Sequence, residues 1–123
     1  MQYLTDRKRA QGLGSGRTGT QFHKRMLVTS MALVVLVPLF VFSFGSGFGG
    51  SYEDVQAFFA RPFPAIITAL MLVVGVIHFN GEAQEAIEDY VHGTTGKLLA
   101  VAVTAFSYVL IAAGLFALVR LAL

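Results

Sequence analysis

The run Pro62-Phe63-Pro64-Ala65-Ile66-Ile67-Thr68-Ala69-Leu70-Met71-Leu72-Val73-Val74-Gly75-Val76-Ile77-His78-Phe79-Asn80-Gly81-Glu82 decides how many times this chain crosses a bilayer. Ala65 to Phe79 is apolar for 15 residues, with His78 one place before its end. A hydrocarbon core of about 30 Å needs roughly 20 helical residues. The run meets that length when Phe63 to Glu82 is counted, with its polar end at the interface and Pro62-Phe63-Pro64 starting the helix. Two other runs need no such extension. Met26 to Phe44 holds 19 residues without a charge, and Leu98 to Val119 holds 22. The expectation is an all-α membrane protein with three transmembrane helices at about 24–45, 62–90 and 96–121. A basic segment, 1–23, precedes this three-helix anchor domain, 24–123.

Composition agrees. Of the 123 residues, 55% are hydrophobic and 13% charged, a poor balance for a soluble domain. Lipid takes the place of a large core. There is no cysteine, so the chain offers no disulfide, thiolate zinc site or cysteine-held iron–sulfur cluster of its own. The first apolar run is too long, starts too late and lacks a clean small-residue site to read as a cleaved signal peptide. Pro38 lies within it and removes one helical hydrogen bond, which a local kink or neighbouring helices can absorb.

The net charge of +2 hides an asymmetry: six of nine Lys/Arg residues, Arg7, Lys8, Arg9, Arg17, Lys24 and Arg25, lie in the first 25 positions. Beside a membrane span, this cluster reads as an orientation signal rather than a nucleic-acid patch. It places the N-terminus inside, the loop 45–61 outside, the segment 81–97 inside and the C-terminus outside. Gly14-Ser15-Gly16-Arg17-Thr18-Gly19 and Gly45-Ser46-Gly47-Phe48-Gly49-Gly50 both match G-x-G-x-x-G. The dinucleotide fingerprint needs a strand before it and a helix after it in one crossover unit. Neither match has the strand, and both read as connections.

Chemistry concentrates after the second span, in His78-Phe79-Asn80-Gly81-Glu82-Ala83-Gln84-Glu85-Ala86-Ile87-Glu88-Asp89-Tyr90-Val91-His92. At about 100° per residue, His78, Glu82, Glu85 and Asp89 share one helix face. Ala83, Ile87 and Val91 take the opposite side. A polar stripe at membrane depth should face the bundle interior, a partner subunit or a cofactor. His78 admits three readings: an interhelical hydrogen bond, a proton relay, or a metal ligand, of which haem iron suits a membrane imidazole. His23 and His92 are not placed to complete a pair with it, so a second ligand must come from another chain or be absent. Asp89-Tyr90 reads as a helix-end acid with an interfacial aromatic, or as a phenol donating to a quinone carbonyl beside a carboxylate that orients it.

His78, Gln84 and Glu88-Asp89-Tyr90-Val91-His92 together resemble the hydrophobic membrane-anchor subunits of succinate dehydrogenase (respiratory complex II). These are small cytochrome b subunits with a histidine eleven residues before an Asp-Tyr pair. Gly12-Leu13-Gly14-Ser15, Gly19-Thr20 and Arg25 are similar to the lead-in of α-proteobacterial members. The resemblance implies that His78 is an axial haem b ligand, the other coming from a sister cytochrome b anchor subunit. It implies that Tyr90 hydrogen-bonds ubiquinone and that Asp89 is its acidic neighbour. It implies iron–sulfur and flavoprotein partner subunits that oxidise succinate. The expected setting is the inner membrane of a bacterium rather than of a mitochondrion, with lipid but no nucleic acid as further partner. One departure stands out: the family usually has glycine four residues after the histidine, where this chain has Glu82, with Gly81 one place earlier. A haem-free structural anchor and a small subunit of an ion or proton transporter are the alternatives.

Overall fold

A computed structural model describes residue 3, residues 5–12 and residues 18–123. The described residues form five helices: α1 (Asp6–Gln11), α2 (Thr18–Ser46), α3 (Tyr52–Phe59), α4 (Pro62–Tyr90) and α5 (Gly93–Ala122). Among the described residues there is no strand. Three of the helices, α2, α4 and α5, are long and apolar enough to cross a membrane. At 29, 29 and 30 residues each is about 44 Å long, some 14 Å more than the hydrocarbon core.

The limits of α4 coincide with the expected 62–90. Pro62 occupies its first turn, where the missing N–H costs nothing. The α4–α5 connection is two residues, Val91 and His92, and Gly93 has φ +75°, the left-handed backbone that glycine adopts without penalty. That reversal lays α5 antiparallel against α4. Pro38 leaves α2 continuous.

Two elements differ from the expectation. α2 begins at Thr18 rather than near 24, so His23 lies inside the helix instead of before it. Hydropathy marks where a helix enters lipid, not where it starts; the polar turns before Met26 continue it in water. The loop 45–61 also contains α3. Ser51 caps it with a reciprocal box: its hydroxyl accepts from the Asp54 N–H at 3.3 Å, and its own N–H donates to Asp54 Oδ2 at 2.8 Å. Serine followed three residues later by an acid was the available signal. The second glycine match ends α2 and turns into α3; the first lies largely outside the described residues.

Packing forms a layer rather than a closed bundle. α2 and α5 both pack on α4 and not on each other. Phe44 of α2, 6.0 Å from Phe59, closes the α3 end with Phe58 and Phe59 both buried. The α2–α4 seam closes on Gly81, where an added Cβ would overlap the Met26 sulfur. The α4–α5 seam carries a polar link: Gln84 Nε2 donates to the Ala100 carbonyl at 3.0 Å and to Thr104 Oγ1 at 2.9 Å. Among the described residues no large side chain is fully buried.

Candidate functional site

His78 stands on α4 at the seam with α2. Its Nδ1 lies 3.0 Å from Thr29 Oγ1, and its Nε2 lies 3.5 Å from Glu82 Oε1 one turn further along α4. The imidazole side chain keeps 16% of its exposure and the Glu82 side chain 56%, so the ring sits in the seam with Nε2 toward the more exposed carboxylate. Thr29 is fixed in turn by its own helix, its Oγ1 lying 2.9 Å from the Arg25 carbonyl and 3.1 Å from that of Met26.

These pairings set the register of the site. The helices run antiparallel, so four residues along α4 from His78 correspond to four back from Thr29. Glu82 is therefore about level with Arg25, and Asp89 about level with Thr18. The polar half of α4 runs beside the polar start of α2, which is why α2 extends past its apolar run. His78 lies about 6 Å deeper than the Arg25 level, and Asp89 about 16 Å further along the axis, at 1.5 Å per residue.

The expected stripe is thus divided. His78 faces the seam, while Glu82, Glu85 and Asp89 are exposed. Ile87, on the side expected to be opposite, is buried. Tyr90, the last residue of α4, is 84% exposed. The structure brings Thr29, His78 and Glu82 together and leaves Asp89 and Tyr90 about three turns away. His23 and His92 are both exposed, and no group of three or more His, Cys, Asp or Glu converges among the described residues. A hollow of about 370 Å³ opens beside Gln84, Thr104 and Tyr108, and neither His78 nor Tyr90 borders it.

Thr29 escaped the sequence reading. A lone threonine in an apolar run has many roles, and spacing alone cannot pair two residues 49 apart. Thr104, which receives Gln84, was missed for the same reason.

For haem iron, the donor set offers one imidazole. Its Nδ1 already has a protein partner, and its Nε2 faces the Glu82 carboxylate. That arrangement fits one protein ligand to iron, with the Glu82 carboxylate as the group that Nε2 would exchange for the metal.

An open layer of three apolar helices, with a histidine in one seam and an exposed phenol at one end, is the framework of a multi-pass membrane protein. Residues 1–119 match the family of succinate dehydrogenase/fumarate reductase transmembrane subunits. A succinate dehydrogenase hydrophobic membrane anchor subunit from Paracoccus denitrificans is 45% identical over 123 residues, spanning 100% of this chain and 95% of that one. No solved structure matches the present chain significantly. The chain belongs to the succinate dehydrogenase/fumarate reductase transmembrane subunit family.

Proposed function

We propose that this chain anchors a succinate:quinone oxidoreductase in the inner membrane of a bacterium, and that it contributes half of a haem b site and part of a ubiquinone-reduction site. Succinate oxidation belongs to flavoprotein and iron–sulfur subunits, since this chain has no cysteine to hold a cluster. A sister anchor subunit fits against the open helical layer. The observation that carries the proposal is the His78 ring, held in the α2–α4 seam through Nδ1, with Nε2 met only by the longer Glu82 contact.

In this reading His78 would hold haem iron through Nε2, with Thr29 engaging the other ring nitrogen. When bound, haem b supplies one-electron redox chemistry at that depth. Tyr90 donates its phenolic hydrogen to a ubiquinone carbonyl at the water boundary. Reduction of the quinone consumes two electrons, delivered from succinate through the partner subunits, and two protons from the inner side. Asp89, exposed beside Tyr90, orients the phenol or passes protons from water.

A second reading, a haem-free anchor, is favoured by one observation: Glu82 Oε1 lies near the nitrogen that would ligate iron. A dithionite-reduced minus oxidised spectrum of the purified complex separates the two. The expected result is a low-spin b-type band that is lost in His78→Ala. An unchanged band in that variant removes His78 from the ligand role, and a parent complex without any such band establishes the haem-free anchor.

A further inference from the structure

We propose that Thr29 is a positioning residue for His78: its hydroxyl decides which imidazole nitrogen carries the proton, and so leaves Nε2 free to bind iron. The inference rests on the reading of His78 as a haem ligand.

The argument is one of counting protons. Thr29 Oγ1 has three neighbours within hydrogen-bonding distance: the Arg25 carbonyl at 2.9 Å, the Met26 carbonyl at 3.1 Å and His78 Nδ1 at 3.0 Å. A hydroxyl has one proton to give and two lone pairs to receive with. Carbonyls can only accept, so if either engages the hydroxyl, the proton goes to it. A helical threonine commonly gives its proton to the carbonyl of the preceding turn, and here two such carbonyls are in reach. Oγ1 then accepts from Nδ1–H, and the neutral imidazole keeps its lone pair on Nε2. A metal-bound histidine commonly donates its other N–H to a fixed acceptor in this way.

The opposite arrangement is also present in outline. If the hydroxyl turned to donate to Nδ1, the ring proton would sit on Nε2 and donate toward Glu82 Oε1. That contact, at 3.5 Å, is longer than an ordinary N–H···O bond, and Glu82 is the more exposed partner. Thr29 and Glu82 therefore pull the imidazole toward opposite tautomers, and the shorter, less exposed contact belongs to Thr29. This gives Glu82, on the position where the family usually has glycine, a definite effect: it competes with ligation.

The test uses the purified complex and measures haem retained per complex after detergent washing, together with the haem midpoint potential. Thr29→Val keeps the shape and removes the acceptor. It is expected to weaken haem retention about 10–100-fold and to move the potential upward, because the axial imidazole becomes a poorer donor. Thr29→Ser is expected to behave as the parent on both measures. Glu82→Ala is expected to hold haem at least as well as the parent, and in the Thr29→Val background to recover part of the lost retention. If Thr29→Val does not assemble, Thr29→Ala carries the same expectations. Parent-like retention and potential in both Thr29→Val and Thr29→Ala, with the b-type band still lost in His78→Ala, overturns the role of Thr29 and leaves the ligand reading standing. A band that survives His78→Ala overturns the ligand reading itself. A fall in retention in Glu82→Ala overturns the competition.

Discussion

Tyr90 and His78 lie on the same helix about 18 Å apart along its axis, and that distance separates their roles. His78 sits in a seam, where its neighbours determine its proton; Tyr90 is 84% exposed, where only an incoming molecule can. Replacing Tyr90 with phenylalanine removes one hydroxyl and no packing. Ubiquinone reduction is expected to slow about ten-fold in Tyr90→Phe, matching the loss of roughly 1.4 kcal/mol of hydrogen bonding to the reacting carbonyl. Succinate oxidation by a soluble artificial acceptor should keep its parent rate. Equal slowing of both reactions, or of neither, excludes the phenol from the quinone site. The pair Asp89-Tyr90 was legible as a motif, and so was the lone histidine. What the residues alone left open was whether His78 meets lipid, protein or another helix. The Thr29 contact resolves that in favour of the α2–α4 seam.

At the scale of elements, α3 carries a pH-dependent cap. The Ser51 N–H and hydroxyl, both hydrogen-bonded to Asp54, hold its carboxyl below its ordinary value. A lowered folded value means that the cap's contribution is fully present above the unfolded value. It is lost as the pH falls through the folded one. Amide protection in α3, corrected for intrinsic exchange, is therefore expected to be constant through neutral pH and to fall only in acid below the usual carboxylate range. Ser51→Ala should lower that protection about five-fold already at neutral pH, the worth of one helix cap. Protection that is independent of pH in acid would show that the cap does not hold α3. The long helices were legible because a bilayer imposes a length and a composition. α3 was not, because eight residues at an interface carry no such constraint and only the Ser51–Asp54 spacing marked it.

Across the whole molecule, the layer of helices leaves broad apolar faces uncovered among the described residues. The absence of cysteine makes its orientation directly measurable. Gln11→Cys on α1 and Gln56→Cys on α3 each place one thiol at an exposed position. In intact cells a membrane-impermeant maleimide is expected to label Gln56→Cys, and to label Gln11→Cys only after permeabilisation. The reverse pattern would invert the basic-end-inside assignment and place Tyr90 at the outer surface.

The sequence by itself determined that three helices form and that α4 runs from Pro62 to Tyr90. It also placed a histidine eleven residues before an Asp-Tyr pair. Those follow from local rules: apolar length, proline position and charge count. Only the tertiary structure decided the order of packing, with α4 between α2 and α5. It alone paired Thr29 with His78 and Gln84 with Thr104. The reason is physical. Side-chain partners across a seam depend on the relative rotation and register of two helices, which here are set by where Gly81 lets Met26 approach and where Gly93 reverses the chain.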